Sequence, residues 1–316
     1  MSIPYAKVIV NPAAGAYSTR RKWPRISRLL KYIGLSFDHE YTEGVGHAIE
    51  LAKTAAVNGY RYVVAVGGDG TVNEIANGIL DSGVARDMAL GVISTGTGSD
   101  FIRSVGIPKH YVSACSCLTS PRKLLIDVGV VEYRSKGKPS RRFFVNAAGA
   151  GFDAAVVEAT ERLPKHFGGT IPYVAGLLRT LFGYRNKSVV LRIGDRSEAA
   201  RILSVVISNG GYLGGGMHVA PEASLNDNLL DVMVIGDIGK FDLLKSLYMV
   251  YKGTQGQHPK VHMEKASKIT VESQERVLVH ADGELLGEGP ASFWLVPAAL
   301  TVSYTHLRAH ETVLDL

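Results

Sequence analysis

The feature that most restricts the fold of this chain is the alternation of short apolar runs with helical segments over its first 130 residues. Each apolar run has the length of a buried strand, and apolar residues at helical spacing follow it. Strands separated by helices pair in parallel, and ligands bind such sheets at the carboxyl ends of the strands. The predicted strands are 6–10, 37–41, 62–66 and 89–93, and the predicted helices are 23–32, 47–58 and 72–80.

From about Leu124 onward the pattern changes to strands with few helices between them. The pattern in this half of the chain predicts a mostly antiparallel β domain that is arranged as a sandwich. The predicted strands are 125–131, 142–147, 188–193, 202–208, 230–235, 269–272, 277–281 and 292–296, with helices at 171–184 and 240–251.

The composition excludes several classes of protein. Hydrophobic residues make up 46% and charged residues 20%, which is typical of a soluble globular protein and disfavours a disordered chain or a coiled coil. No apolar run approaches the ~20 residues of a spanning helix, and we see no signal peptide, so we expect a cytoplasmic protein. The net charge of +6 favours contact with phosphates or an anionic membrane surface. The basic clusters 20–22 and 134–142 match no nucleic-acid motif, so nucleic acid is not an expected partner.

The segment Gly67-Gly68-Asp69-Gly70-Thr71 joins a buried strand directly to a helix. Glycines let the backbone approach a bulky anion, and the free N–H groups at a helix start attract phosphate. Asp69 places a carboxylate among those N–H groups. We expect this carboxylate to bind Mg²⁺, directly or through water, or to pair with a neighbouring lysine. The alternative is a tight strand-to-helix turn with Thr71 as the helix cap.

Two further small loops leave the same predicted sheet edge. Residues 10–15 (V-N-P-A-A-G) follow the first strand, and residues 94–101 (S-T-G-T-G-S-D-F) follow the fourth. Three glycine-bearing loops that converge at one crevice could enclose a triphosphate and its nucleoside.

In this order, the three loops resemble those of the bacterial diacylglycerol kinase-like lipid kinases, whose catalytic domain is shared with sphingosine and ceramide kinases. The resemblance covers about residues 3–302, and it extends to His258–Val261 and His280–Glu284. It implies a Rossmann-like three-layer α/β ATP-binding domain at 1–125, a β-sandwich domain at 126–290, and a strand segment at 291–302 that returns to the first domain. Residues 303–316 lie beyond it, and we interpret them as a non-native tail.

The resemblance also implies roles for individual residues. Glu284 is the expected general base, with Asp282 and Asp127 as further acidic residues of the active site and Asp69 organising Mg²⁺ and phosphate. The expected contacts of ATP are Asn11, Pro12, Ala13, Ala14, Gly15, Thr42, Gly67, Gly68, Asp69, Gly70, Thr71, Val72, Asn73 and Thr97. A structural Mg²⁺ is expected on the Asp227 carboxylate, with backbone carbonyls such as those of Leu225 and Leu229 completing the shell.

The spacing of Asp282 and Glu284 supports a shared site independently of the family resemblance, because residues two apart in an extended segment lie on the same side of it. Two positions depart from the family pattern. Ala16 stands where many members carry lysine, and Ser99 stands where asparagine is usual. Both positions belong to a polar network around the equivalent of Asp69, so their loss puts the catalytic rate in doubt.

We therefore expect an ATP- and Mg²⁺-dependent kinase that transfers the γ-phosphate to a lipid hydroxyl, as in the conversion of diacylglycerol to phosphatidic acid. An NAD kinase and a nucleotide-binding regulator without catalysis are the alternatives. We expect peripheral contact with the inner membrane face. The apolar helix at 171–182 would either touch lipid headgroups or pack beneath the cleft. The acceptor lipid and the oligomeric state, a homodimer included, are left open.

Overall fold

The computed structural model describes residues 5–119, 122–161 and 170–304. An α/β domain precedes an antiparallel β domain, which confirms the predicted fold class. The strands are β1 (Ala6–Val10), β2 (Phe37–Tyr41), β3 (Tyr62–Gly67), β4 (Ala89–Ser94), β5 (Lys123–Ser135), β6 (Lys138–Phe144), β7 (Ala147–Gly151), β8 (Lys187–Ile193), β9 (Arg196–Ser208), β10 (Leu230–Gly236), β11 (Val261–Ala266), β12 (Lys268–Glu272), β13 (Leu278–Ala281) and β14 (Glu284–Ser303). The helices are α1 (Ser18–Tyr32), α2 (His47–Val57), α3 (Asp69–Asp81), α4 (Asp100–Val105), α5 (Tyr111–Leu118), α6 (Phe152–Glu161), α7 (Thr170–Gly183) and α8 (Lys240–Lys252). Within these described ranges, no helix is long and apolar enough to cross a membrane.

The first domain is built on a parallel sheet with the strand order β4-β3-β1-β2. Every residue of β3 and β4 is buried, because helices cover both faces of these central strands. Ile75 and Ile79 of α3 pack on one face, and Trp23 and Ile26 of α1 pack on the other. The carboxyl ends of β1, β3 and β4 therefore share one edge of the sheet.

The second domain contains a closed ring of six strands, in the order β8-β9-β7-β13-β14-β12, with every neighbouring pair antiparallel. The predicted sandwich is thus closed into a small barrel. Large apolar side chains such as Phe293, Leu191 and Ile269 fill its interior. Strands β10 and β11 extend the sheet from β9, and β5 and β6 extend it from β14.

Strand β14 runs through both domains. It begins in the barrel beside β13 and β12, continues along β5, and ends in a parallel pair with β4 at Thr301 and Val302. All fourteen strands consequently belong to one hydrogen-bonded sheet. Of the segment 303–316, which the sequence suggests is a non-native tail, residues 305–316 lie outside the described residues.

The prediction of one strand at 142–147 is wrong. Strand β6 ends at Phe144 and β7 begins at Ala147, because the N–H groups of Val145, Asn146 and Ala147 donate to the Asp282 carboxylate. A side-chain acceptor that takes three successive N–H groups bends the chain away from a regular ladder. Periodicity does not reveal such an acceptor, since it lies more than 130 residues away in the sequence.

Asp127 belongs to β5. It lies beside the stretch of β14 that passes from the barrel to the parallel sheet. Its buried carboxylate accepts the N–H of Ala298 at 2.8 Å and that of Asn228 at 2.8 Å. Ala298 occupies the left-handed region, with φ 48°, in the irregular stretch where the register of β5 and β14 shifts. The hydrogen bonds to Asp127 offset the cost of that strained backbone. This position gives Asp127 a structural role at the junction of the two domains.

We expect Asp127→Ala to lower the free energy of unfolding by about 2 to 4 kcal/mol, because two N–H groups lose a buried acceptor. Urea unfolding followed by circular dichroism measures the change. The matched control is Asp195→Ala, in the exposed turn between β8 and β9, which should alter stability by less than about 0.5 kcal/mol. Equal losses in the two variants would contradict the structural role of Asp127.

Candidate active site

The three glycine-bearing loops meet at the shared edge of the parallel sheet, as the sequence predicts. The Asn11 Nδ2 donates to the Thr71 hydroxyl at 3.0 Å, which joins the first loop to the second. A Cβ atom on Gly96 would lie 2.5 Å from the Gly68 Cα, so the second and third loops touch backbone to backbone. Only glycine permits that approach. At Gly15, in the left-handed region with φ 59°, a Cβ atom would lie 2.4 Å from the Thr95 carbonyl oxygen.

Helix α3 begins at Asp69, immediately after β3 ends at Gly67. The first N–H groups of a helix have no partners within the helix, and the helix dipole adds a partial positive charge there. This end of α3 suits an anion such as a phosphate. Of the other predicted nucleotide contacts, Thr97 is exposed on the third loop, whereas Thr42 is buried and its N–H donates to the Val10 carbonyl.

The Asp69 carboxylate joins two of these loops. It accepts the N–H of Ser99 at 2.7 Å and that of Phe101 at 3.1 Å, and so caps the start of α4. Ser99 has a left-handed backbone, with φ 61°, and its hydroxyl pairs with that of Ser94 at 2.9 Å. Ala16, with φ 52°, is also left-handed. Asp69 thus contributes loop geometry in this structure, in addition to the metal role expected from the sequence.

Arg103 and Asp100 extend this loop cluster toward the second domain. Arg103 donates to the Asp100 carboxylate at 2.9 Å and to the Gly98 carbonyl. The other oxygen of Asp100 accepts the Gly215 N–H at 2.7 Å, in the glycine run 214–216. Burial raises the pKa of Asp100, and the Gly215 N–H opposes that rise. No pattern in the sequence predicts this role of the glycine run 214–216.

The Asp282 carboxylate is partly buried at the interface between the domains. It accepts the N–H groups of Val145, Asn146 and Ala147 at 2.8 to 3.0 Å, and the Asn73 amide at 2.7 Å. Burial raises the pKa of Asp282, and these four donors oppose the rise. Asn73 belongs to α3, so this carboxylate connects the nucleotide loop to the β domain.

Glu284 lies two residues further along and is half-buried. Arg142 donates to the Glu284 carboxylate at 2.8 Å and to the Asn73 side-chain oxygen at 3.0 Å. Burial raises the pKa of Glu284, while the Arg142 cation lowers it. The side chain of Glu284 retains 36% of its exposure, so a solvent-borne group can reach it. Among the predicted acidic residues, Glu284 is the one whose carboxylate pairs with a side-chain cation beside α3.

Sequence reasoning missed Arg142, because it is one of five Lys/Arg residues in the segment 134–142 that looked like a solvated loop. In the structure this segment is mostly strand, and successive side chains on a strand point to opposite faces. Arg141 stacks over the Phe143 ring, whereas Arg142 points to Asn73 and Glu284. The alternation of side chains between the two faces of a strand around Phe143 was the sequence signal that could have identified Arg142.

The predicted structural Mg²⁺ site is arranged differently from an oxygen cage. The Asp227 carboxylate accepts Lys265 Nζ at 2.7 Å and the Leu229 N–H at 3.2 Å, and the Leu225 carbonyl accepts the Asp127 N–H. Lys265 also lies 3.5 Å from Asp231. An ammonium group thus pairs with the carboxylate expected to hold the metal, and the Mg²⁺ site stays a prediction. No cluster of three or more His, Cys, Asp or Glu side chains placed to hold a metal occurs among the residues that the structure describes.

We expect Asp282→Ala to lower the free energy of unfolding by at least about 3 kcal/mol, because four donors lose a partly buried acceptor. The matched variant is Glu284→Gln, which should cost less than about 1 kcal/mol, since it removes one partly exposed ion pair. Thermal and urea unfolding of both proteins measure the difference. Equal stability of the Asp282→Ala and Glu284→Gln proteins would contradict a structural role that belongs to Asp282 and not to Glu284.

Two protein-family models together match most of the chain. The model described as the diacylglycerol kinase catalytic domain matches residues 5–131, and the model described as the YegS C-terminal NAD kinase beta sandwich-like domain matches residues 146–304. The two matches follow the α/β domain and the barrel domain of the structure.

Curated relatives align over almost the full length. The chain is 26% identical over 288 residues to a diacylglycerol kinase of Staphylococcus carnosus, with 91% of each chain covered. It is 26% identical over 292 residues to a diacylglycerol kinase of Bacillus subtilis, covering 91% of this chain and 92% of the relative. A crystal structure described as a diacylglycerol kinase from Bacillus anthracis superposes with a TM-score of 0.72 at 21% identity, covering 97% of this chain and 98% of that one. That likeness shows the fold alone.

Proposed function

This chain belongs to the bacterial diacylglycerol kinase family, and from that membership we propose that it transfers the γ-phosphate of ATP to a hydroxyl group of a lipid such as diacylglycerol. The observation that carries the proposal is the link between α3 and Glu284. Asn73 of the nucleotide loop helix binds the Asp282 carboxylate directly and the Glu284 carboxylate through Arg142. A phosphate at the start of α3 and a hydroxyl beside Glu284 would be neighbours.

In the proposed reaction Glu284 accepts the proton of the attacking hydroxyl. The hydroxyl oxygen forms a bond to the γ-phosphorus, the bond from that phosphorus to the β,γ-bridging oxygen breaks, and ADP leaves with the electron pair. Burial raises the pKa of Glu284, which brings its proton affinity closer to that needed by a base near neutral pH. Phosphoryl transfer depends mainly on positioning and on neutralising charge, so few other side chains are required.

Arg142 is a positioning residue in this scheme. Its guanidinium holds the Glu284 carboxylate at 2.8 Å and is itself fixed by Asn73 at 3.0 Å. Because it favours the ionised form of Glu284, it keeps the base ready to accept a proton. The same contacts place a cation near the position where charge develops during transfer.

Mg²⁺, when bound with ATP, supplies neutralisation of the phosphate charges. Among the described residues, Asp69 is the carboxylate at the glycine loops whose position suits such an ion, and each of its oxygens keeps capacity for a further water-mediated contact. We propose that the metal enters with the nucleotide. The acceptor lipid would be presented at the inner face of a membrane.

The test is a phosphotransfer assay with radiolabelled ATP, Mg²⁺ and a panel of lipids with free hydroxyl groups. We expect a phospholipid product from the wild-type protein and a loss of roughly 10²- to 10⁴-fold in kcat for Glu284→Gln, because general-base catalysis contributes about that much. NAD serves as a parallel acceptor in the same assay. Formation of NADP without any lipid product would favour an NAD kinase, and ATP binding without any product would favour a regulator.

The pH dependence of the rate tests Glu284 and Arg142 together. A base must be deprotonated, so kcat/KM should fall as the pH drops through the pKa of Glu284, and that fall should begin above the pH expected for an ordinary glutamate. Arg142→Met removes the cation that lowers this pKa, so the acid limb should move to higher pH. Arg142→Lys, which keeps the charge, should move it less. An acid limb that is identical in all three proteins would rule out the coupling.

A further inference from the structure

Helix α8 presents large apolar side chains to solvent. Phe241 is 82% exposed, Tyr248 is 64% exposed and Tyr251 is 55% exposed. Together with the exposed Leu244 they follow the spacing i, i+3, i+7 and i+10, which places them on one face of the helix. We call these four residues the aromatic face. A helix that only covers a core would point such side chains inward, so an exposed aromatic stripe indicates a binding surface.

The opposite side of α8 is already occupied. Leu243 packs against the cluster around Phe152 and Leu181, and Val250 packs against Val206 and Met233 of the second domain. One set of apolar residues thus anchors the helix to the domain, and a second set, the aromatic face, is exposed to solvent. Rotation of the helix could not bury the aromatic face without exposing the anchored one.

Positive charge surrounds the aromatic face. Lys245 and Lys252 are exposed on the same side of the helix, and Lys252 Nζ lies 4.7 Å from the centre of the Tyr248 ring. Lys240, at the start of α8, donates to the Phe182 carbonyl at the end of α7. The one acidic residue of α8, Asp242, lies 3.5 Å from His258. Lysines beside exposed aromatic rings are the composition of a helix that lies in the headgroup region of an anionic bilayer.

The end of α7 extends this surface. Phe182 is 69% exposed, and the cleft between α7 and α8 has an apolar floor that includes Leu181 and Ile238. Arg185, Arg201 and Lys240 line the same cleft, and Arg201 pairs with the only carboxylate of the lining, Asp237. An apolar floor with a cationic rim suits a molecule that carries an anionic head on an apolar body.

We propose that the aromatic face of α8, with Phe182, docks the protein onto the surface of an anionic membrane. A bilayer fits this surface better than a second copy of the chain does. Two copies that met through the same face would bring Lys245 and Lys252 of one close to the same lysines of the other, and like charges oppose that contact. An anionic headgroup layer instead pairs with these lysines while the rings enter the acyl boundary.

The position of α6 connects this docking surface to the proposed active site. Phe152, the first residue of α6, belongs to the cluster that anchors α8, and Glu161, the last, accepts the N–H of Leu285 beside Glu284. A ten-residue helix is about 15 Å long. Docking through α8 would hold Glu284 at about the length of α6 from the bilayer surface. In this respect the inference rests on the proposed lipid acceptor.

Co-sedimentation of the full chain with vesicles tests the docking surface. One set of vesicles contains equal parts of phosphatidylglycerol and phosphatidylcholine, a second contains phosphatidylcholine alone, and neither diacylglycerol nor ATP is added. We expect the double variant Phe241→Ser and Tyr248→Ser to bind at least about tenfold more weakly to the anionic vesicles, because two rings no longer enter the acyl boundary. The control is Tyr32→Ser on α1, which removes a ring that is 87% exposed and should leave binding unchanged.

The lysines provide a second, independent arm. Lys245→Glu with Lys252→Glu should weaken binding to the anionic vesicles by about fivefold or more for each charge, and high salt should weaken the wild-type protein in the same way. Lys22→Glu with Lys31→Glu, on the exposed side of α1, is the charge-matched control. Circular dichroism melting verifies that each variant is folded, since all of the substituted residues are exposed.

Several outcomes would overturn the docking surface. Failure of the wild-type protein to bind anionic vesicles would do so, and so would equal binding by the α8 and α1 variants. Light scattering without lipid that shows a wild-type dimer and a monomeric α8 variant would assign the face to a second copy instead. Phosphotransfer to a short-chain, water-soluble diacylglycerol separates the two proposals. Vesicle binding through α8 without that activity would remove the proposed function alone, and that activity without docking through α8 would remove this inference alone.

Discussion

The hydrogen bonds of the partly buried Asp282 carboxylate fix the geometry between the two domains. It takes three successive backbone N–H groups from the connection between β6 and β7, and it takes the Asn73 amide from α3. Of these four donors, Asn73 is the one that belongs to the α/β domain, so separating the domains would remove its hydrogen bond from the carboxylate. Glu284 and Arg142 obtain their positions relative to the glycine loops from this contact.

The four acidic residues expected at the active site thus divide into two kinds. The carboxylates of Asp69, Asp127 and Asp282 accept backbone N–H groups, and they stabilise a helix start, a bulge and a bend between two strands. Glu284 instead pairs with a side-chain cation and retains part of its exposure. A carboxylate held by backbone donors serves as an anchor, whereas one held by a movable side chain can exchange a proton. The hydrogen-bond partners, more than the residue type, separate the base from its supports.

The fold class and the convergence of the three loops could be predicted from the sequence, because hydrophobic periodicity and parallel pairing determine both. Closure of the β domain into a barrel could not, since it depends on pairing between β8 and β12, which are distant in sequence. The role of Arg142 was hidden for a similar reason. Its partners, Asn73 and Glu284, lie 69 and 142 residues away, and no local pattern distinguishes it from the neighbouring basic residues. The contact of Lys265 with Asp227, 38 residues apart in the sequence, was likewise not predicted.

The path of β14 through both domains has a consequence for synthesis of the chain. Strand β4 receives its outer neighbour only when Thr301 pairs with Ala89, more than 200 residues later in the sequence. During translation the α/β domain therefore emerges with an open sheet edge, and the ribosome must produce the whole barrel before that edge is covered. Contacts of such high sequence separation form slowly, and an uncovered edge strand is prone to pair with other chains. In the meantime α3 and α5 pack on β4, so its backbone edge is the part of this strand that stays open to pairing with other chains.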